Sequence, residues 1–381
     1  MRVDPSSWSS RGCLLGIINV MWSGGSPYSS VHTVHQQILA QAAPGTEIKT
    51  WLLQDKSAKS LYGGNQVKAW GWSSKQLKGR GIWALAYFWL RWKFGQALVK
   101  DKAQLVLLDG LGVARVLLPV LRTLRHVRVV VVFHGATRLR EKDRNLLREF
   151  SSEQLTLCAV SQTLSASIGS DTQLPVVTLR YALDLVTFKP RLLPRDQARE
   201  QLGIAVQATQ VFGAVGRLVA GKGFDCLINA FAQALKKTPD MLLMIIGEGR
   251  ARSEMESRIE VLSLQGKVLL PGHIDNVTCL YRAFDWVLIP SREEGLGLIV
   301  QEAVVAGVPV LSSDLAVFHE QLGDSGCYVP VGDVSAWGKA IESASTVCGA
   351  KMAERQYASL APEQSWQRFS QACSEVLLIS E

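Results

Sequence analysis

Twelve short apolar runs recur along this chain, separated by stretches with helical spacing, and this alternation constrains the fold more than any other feature. In the first half they cover residues 14–20, 48–53, 105–108, 127–133, 155–160 and 176–179. The second half has 211–215, 242–246, 268–270, 286–289, 308–311 and 327–329. Four consecutive valines, from Val129 to Val132, lack the polar alternation of a half-solvated strand and read as a parallel strand covered on both faces. Repeated strand and helix segments of this kind build doubly wound α/β sheets. A chain of 381 residues with 48% apolar content can fill two such cores. The expectation is two Rossmann-like parallel-sheet domains, 1–185 and 186–364, with a last helical stretch in 365–381. Residues 190–199 hold two prolines and three arginines without an apolar run, which reads as a linker.

Composition excludes several classes. Seven cysteines are scattered in odd number with no CxxC pair, against both a disulfide framework and a structural zinc site, and in favour of a reduced, cytoplasmic chain. Near the N-terminus the apolar run is interrupted by Asn19 and no small-x-small cleavage site follows, so it reads as a first buried strand rather than a signal peptide. The longest uncharged bulky run, 82–90, falls well short of the roughly 20 residues that span a bilayer. Charge is uneven: residues 1–185 hold 23 Lys and Arg against 11 Asp and Glu, whereas 186–381 hold 18 against 22.

Two segments of the second half carry the chemistry. Residues 291–310 read Ser-Arg-Glu-Glu-Gly-Leu-Gly-Leu-Ile-Val-Gln-Glu-Ala-Val-Val-Ala-Gly-Val-Pro-Val, a turn after a strand, then a helical stretch stopped by Gly307 and Pro309. Glu294 and Glu302 bracket the turn, about 12 Å apart if the stretch is helical throughout, a span that suits a nucleotide sugar. Carboxylates accept hydrogen bonds and suit vicinal diols, while N–H groups of the Gly295, Leu296, Gly297, Leu298 turn would face phosphate. Two glutamates at this spacing also occur as solvated helix residues. Earlier, Gly216-Arg217-Leu218-Val219-Ala220-Gly221-Lys222-Gly223 follows a strand and precedes a helical stretch, and the Arg217 fork with the Lys222 point charge suits a diphosphate. It also matches the Walker A spacing, but Gly223 stands where a Ser or Thr hydroxyl should hold Mg²⁺.

Taken together, Gly-Arg-Leu-x-x-x-Lys-Gly-x-Asp, Ile245-Ile246-Gly247-Glu248-Gly249, Leu269-Leu270-Pro271-Gly272-His273 and the E-x7-E stretch resemble, in order, the signatures of retaining GT-B glycosyltransferases of group 1 (the GT4 family). The resemblance is firm over residues 211–333 and reaches the first half only at landmarks. It implies a GT-B fold, two doubly wound Rossmann-like domains facing across a cleft, with the final helix crossing back to the first. It assigns Arg217 and Lys222 to the diphosphate, Glu294 to the sugar and Glu302 to the ribose. The Gly247 turn would lie beneath the nucleotide, with Gly272, His273 and Ile274 lining the base pocket. In the first half, Ser23-Gly24-Gly25-Ser26 follows the first strand, and Gly24 and Gly25 would permit close approach of phosphate or acceptor. His134, in Phe133-His134-Gly135 at a strand's C-terminal end, is placed by the resemblance beside the donor sugar. One match fails: relatives carry Asn-Gly-x-Asp where this chain has Tyr181-Ala182-Leu183-Asp184.

Eight of eleven tryptophans lie in the first 92 residues, and Trp70, Trp72, Trp83, Trp89 and Trp92 alternate with Lys75, Lys78, Arg80, Arg91 and Lys93. Such a segment suits either an anionic bilayer surface or a core helix with a basic end. Single-strand nucleic-acid binding has a similar footprint, but no nucleic-acid motif supports it. The function implied is metal-independent, retaining transfer of a hexose or related sugar. The donor would be a nucleoside-diphosphate sugar, UDP-linked ahead of GDP-linked, and no cofactor is expected. The acceptor would be a glycan or an anionic, lipid-linked molecule of cell-envelope polysaccharide or lipopolysaccharide synthesis. The expected location is the cytoplasm, peripheral on the inner face of the inner membrane. Rival readings are a nucleotide-sugar epimerase and a non-catalytic nucleotide-sugar binder with the same fold.

Overall fold

The computed structural model describes residues 16–22, 30–54, 66–79, 83–204 and 210–378. The chain divides into two compact units, one running up to Arg180 and resuming at Arg368, the other spanning Tyr181–Gln367.

The first unit holds a seven-stranded sheet: β1 Gly16–Met21, β2 Glu47–Leu52, β3 Gln66–Ala69, β4 Leu105–Asp109, β5 Arg128–Phe133, β6 Leu155–Ala159 and β7 Val176–Thr178. Its order is β3-β2-β1-β4-β5-β6-β7, and every pairing is parallel. Side chains of β4 from Leu105 to Leu108 and of β5 from Val129 to Phe133 are all but fully buried, as expected of parallel strands with both faces covered by helices. From Arg368 onward the final helix, Pro362–Leu377, belongs to this unit: Arg128 Nη1 donates to the Leu378 carbonyl, and Ser370 Oγ donates to Gln41 Oε1.

A six-stranded sheet forms the second unit: β8 Gln210–Val215, β9 Met241–Ile246, β10 Val268–Gly272, β11 Trp286–Ile289, β12 Val310–Ser313 and β13 Cys327–Val329. The order β10-β9-β8-β11-β12-β13 is again all parallel. Numbered within its own unit, each sheet runs 3-2-1-4-5-6, the first with a seventh strand added beyond, so the strand order reverses between β1 and β4 and again between β8 and β11. In open α/β sheets ligands bind beyond the carboxyl ends of the strands at such a reversal. Phe212, Leu243, Trp286 and Leu288 from the strands pack with Leu227 and Phe231 of the helix Phe224–Leu235 and with Trp337 and Ile341 of the helix Val334–Thr346.

Three local expectations change. β3 went unforeseen because its four residues, Gln-Val-Lys-Ala, carry no apolar run and sit at the sheet edge. Residues 190–199 are no free linker: a 3-10 turn, Lys189–Arg191, leads into a helix, Arg195–Gln201. Its arginines are neither loose nor solvating, since Arg195 and Arg199 both donate to the Asp285 carboxylate, at 2.6 and 3.0 Å, beside β11. The aromatic helix, Trp83–Lys100, has two apolar faces. Leu90, Phe94 and Leu98 are buried, while Phe88, Trp89 and Trp92 are 82%, 47% and 56% exposed.

Candidate active site

In the second unit, the loops after β8, β9 and β10 meet backbone to backbone. Gly216 N–H donates to Ile246 O, Leu218 N–H to Glu248 O and Gly247 N–H to Gly272 O, at 2.8 to 2.9 Å. No side chain fits there: a Cβ on Gly247 would stand 1.9 Å from Gly216 O, and one on Gly249 2.3 Å from Leu218 O. The glycines read from the sequence as a nucleotide turn thus bring three strand-end loops together at one edge of the sheet. Gly272 adopts φ +87°, His273 is exposed with its Nε2 3.4 Å from Asp275 Oδ1, and Ile274 is half-buried.

Beside them, the turn after β11 is strapped to the turn after β8. Arg292 N–H donates to Gly221 O at 2.8 Å, and its guanidinium grips the Asp225 carboxylate at 3.0 and 2.8 Å. Gly223, at φ +68°, begins the helix Phe224–Leu235 so close to β11 that a Cβ would lie 2.0 Å from Pro290 O. This strap brings Lys222 and Glu294 together. Lys222 Nζ donates to Glu294 Oε1, which also accepts from Ser291 Oγ at 2.8 Å. The two residues that the sequence assigned to different parts of a donor are therefore paired with each other, and a phosphate approaching Lys222 competes with the Glu294 carboxylate. Arg217 is exposed on the loop after β8 and makes no ion pair among the described residues.

Glu294 precedes the helix and Glu302 lies within it, because Gly297, at φ +76°, caps a helix spanning only Leu298–Val305. The stretch between the two carboxylates is not helical throughout. Gly297 answers a packing need, since a Cβ there would meet Phe318 at 2.6 Å, and the Leu296 side chain goes into the core with its carbonyl held by Gln321. Gly295 and Leu298 complete the turn, half-buried. Glu302 Oε2 accepts from Tyr281 Oη at 2.7 Å, and burial raises the carboxyl pKa above its usual range. A half-buried carboxylate that already holds one hydroxyl is equipped to accept from others.

The first unit has its own polar cluster at its own reversal. Asn19 on β1 and Thr50 opposite it on β2 are fully buried, as is His35 on the helix Ser30–Leu39. His35 Nδ1 lies 2.7 Å from Asn19 Oδ1, and His35 Nε2 lies 3.0 Å from His134 Nε2. Asp109, the last residue of β4, puts Oδ1 3.8 Å from His134 Nε2 and accepts from Trp22 N–H at 3.3 Å through Oδ2. The His134 side chain is only 12% exposed. Burial, aided by His32, holds its pKa down at about 3, and burial pushes Asp109 up to about 6. Burial also holds His35 well below the usual histidine range, so both imidazoles are neutral at pH 7.

His134 directly follows β5, at the strand end read from the sequence; its partners were missed. Asn19 shows in the sequence as the one polar break in the first apolar run, whereas Asp109, the charge that ends an apolar strand, was not singled out, and nothing in the spacing links either to His35. The expected phosphate loop at Gly24 and Gly25 lies outside the described residues.

Residues 209–346 match the family model described as "Glycosyl transferases group 1". The second unit carries a group 1 glycosyltransferase domain. Relatives of this chain include a lipopolysaccharide core biosynthesis mannosyltransferase of Rhizobium meliloti, 27% identical over 207 residues, which are 52% of this chain and 56% of the relative. A D-inositol 3-phosphate glycosyltransferase of Corynebacterium kroppenstedtii is 33% identical over 159 residues, 39% of this chain and 35% of that one. The matched part thus spans about a third to just over half of these relatives' length. Among solved structures, Anabaena Alr3699/HepE in complex with UDP and glucose aligns over 95% of this chain and 98% of its own at TM-score 0.76 and 19% identity. WaaG, a glycosyltransferase involved in lipopolysaccharide biosynthesis, aligns over 94% and 99% at TM-score 0.73 and 17% identity. The fold is GT-B, built from two Rossmann-like domains.

Proposed function

We propose that the protein transfers a sugar from a nucleoside-diphosphate sugar, UDP-linked ahead of GDP-linked, to a glycan or lipid-linked acceptor, with retention at the anomeric carbon and without a divalent ion. The observation that carries this reading is the Lys222, Glu294 and Ser291 cluster, held between the turns after β8 and β11 beside three glycine loops. Arg217 and Lys222 meet the diphosphate, the Gly295 to Leu298 turn offers N–H groups, Glu294 orients the sugar and Glu302 the ribose. Gly247, Gly272, His273 and Ile274 border the nucleoside. From the first unit, His134 is assigned to the sugar.

In the reaction the bond from the anomeric carbon to the diphosphate oxygen breaks and its electron pair leaves with the nucleotide. The acceptor oxygen bonds to the same face of that carbon, and its proton passes to the departing phosphate. Charge grows on the leaving group, where Arg217 and Lys222 stabilise it. The names of the relatives point toward lipopolysaccharide or another envelope glycan.

The proposed location is the cytoplasmic face of the inner membrane. No helix among the described residues is long and apolar enough to cross a membrane. The outward Phe88, Trp89 and Trp92, with Lys93 Nζ 3.8 Å from the Trp89 ring centroid, suit a surface of anionic lipid. Residues 56–100 contain nine Lys and Arg and no Asp or Glu. Co-sedimentation with phosphatidylglycerol vesicles, lost on replacing all three aromatics by serine, tests this; equal recovery of the variant would refute it.

Titration with UDP, GDP, ADP and CMP in the presence of EDTA tests the donor site. Tight binding of one nucleoside diphosphate supports the proposal, and binding of none would sink it. Proton NMR of the product made with the matching sugar nucleotide decides between retention and inversion. Conversion of the donor sugar without any acceptor would instead favour the epimerase, and binding without turnover the non-catalytic module.

A further inference from the structure

The geometry points to His35 as a positioning residue that fixes which ring nitrogen of His134 carries the proton, so that His134 meets its substrate as a hydrogen-bond acceptor through Nδ1. The functional half of this inference rests on the role proposed above for His134; the tautomer itself does not.

The two Nε2 atoms stand 3.0 Å apart, with ring centroids at 5.1 Å and planes tilted by 37°, so the rings meet nearly end to end. Such a contact holds one hydrogen. Two N–H groups would collide, and two lone pairs would repel with no donor between them. Which ring supplies the hydrogen is decided at the far side of His35. Asn19 turns its amide nitrogen to Thr50 Oγ1 at 3.4 Å and its carbonyl oxygen to His35 Nδ1 at 2.7 Å. An oxygen there requires an N–H, so neutral His35 carries its proton on Nδ1 and offers a lone pair at Nε2. His134 therefore donates from Nε2, and its Nδ1 is left as the acceptor.

Asp109 points the same way. Its Oδ1 lies 3.8 Å from His134 Nε2, on the side where this tautomer carries the N–H. The burial of Asn19, Thr50 and His35 excludes the water that would otherwise exchange the roles. A substrate hydroxyl reaching Nδ1 thus gives its hydrogen to the ring. The chain Thr50, Asn19, His35, His134 runs from the middle of β1 and β2 to the strand ends, and it gives the buried polar Asn19 a purpose beyond packing.

The cluster also brings one ligand atom from each of His35, His134 and Asp109 within 4.8 Å of one another, the spacing of a metal site. The end-to-end contact spends both Nε2 positions on a hydrogen bond, and that is the arrangement inferred here.

The test uses the full chain labelled with ¹⁵N-histidine, with long-range ¹H–¹⁵N correlation at neutral pH and signals assigned through His134→Gln. The expected spectrum shows His134 protonated at Nε2. His35→Ala is expected to release the lock, shifting the His134 nitrogens towards a mixed tautomer and lowering turnover of UDP-glucose about tenfold or more, with UDP affinity unchanged. His35→Gln, whose side-chain oxygen can accept from His134 Nε2–H, is expected to restore the spectrum and part of the rate. Protonation of His134 at Nδ1 in the wild type would overturn the inference, as would an unaltered His134 spectrum in His35→Ala. Stoichiometric Zn²⁺ shifting both rings together would overturn it in favour of a metal site. If the wild type transfers no sugar, the proposed function fails while the spectrum still decides the tautomer.

Discussion

Gly223 and Gly307 both adopt the left-handed region, at φ +68° and +84°, yet only one of them is crowded. A Cβ at Gly307 meets nothing within 4 Å, whereas at Gly223 it falls 2.0 Å from Pro290 O and 3.0 Å from Pro290 C. Alanine at either position forfeits about 1–2 kcal/mol for the backbone conformation. At Gly223 the oxygen must also retreat by roughly 1.3 Å to reach a normal carbon–oxygen separation near 3.3 Å. That strain costs on the order of 1–3 kcal/mol more, as overpacking does elsewhere. The expected losses are about 1–2 kcal/mol for Gly307→Ala and about 2–5 kcal/mol for Gly223→Ala. For a unit of this size each kcal/mol lowers the melting temperature by roughly 2–4 °C, so calorimetry of the full chain separates the two variants.

The crowded position also has a functional consequence, because the backbone that must move is the strap carrying Lys222 to Glu294. Gly223→Ala should therefore weaken UDP binding, measured by isothermal titration below its melting temperature, while Gly307→Ala should not. Equal melting shifts for the two variants would refute the steric argument. A destabilised Gly223→Ala that binds UDP at wild-type strength would break the link from strap to site.

Arg217→Ala and Glu294→Ala should each lower transfer by about 10²–10³-fold, the usual effect of losing one stabilising contact to developing charge or to the sugar, with circular dichroism unchanged; wild-type rates in either would remove the assigned role. Asp109 has a folded-state pKa raised to about 6 from 3.8, so the folded protein binds its proton more tightly and stability falls as pH rises between those values. Asp109→Asn should accordingly gain up to about 3 kcal/mol over the wild type at pH 7.5 and little at pH 4, read by urea titration. A gain as large at pH 4 would show that something other than ionisation is at work. Asp285→Ala should cost roughly 2–3 kcal/mol, because the carboxylate accepts from Arg195, Arg199 and the Val211 N–H, and it should loosen the 189–201 segment in hydrogen exchange.

The sequence shows the second unit better than the first for a physical reason. Where three loops must touch backbone to backbone, only glycine fits at the closest points, so Gly247 and Gly249 stand in the chain as visible marks of a three-dimensional constraint. Polar clusters built from distant positions leave no such mark. His35, Asp109 and His134 come together through the parallel order of β1, β4 and β5, and no spacing along the chain announces it. The segment at 190–199 misleads for a related reason, since its arginines look solvated until Asp285, some 90 residues on, is seen to hold them. The edge strand β3 hides because a partner on one side only demands no apolar run.

The two sheets share the order of their first six strands, and each gathers a cluster of ionisable groups at the point where that order reverses. Beyond β8 and β11 the groups are Lys222 and Glu294 on glycine-bearing turns and Glu302 on the helix that follows, which suits a charged ligand. Beyond β1, β4 and β5 they are two neutral imidazoles and a carboxyl whose ionisation burial opposes, which suits hydroxyls rather than charge. The contrast follows from solvation. The Lys222 and Glu294 charges are set against each other, so each lowers the cost of burying the other. In the first unit His134 and His35 meet burial by staying neutral and sharing one hydrogen. The proposed sugar transfer calls for both kinds of surface, one that receives charge on a departing phosphate and one that handles hydroxyl groups without displacing them by water. Each unit supplies one of them on the same topology, and the difference lies in which side chains end the strands.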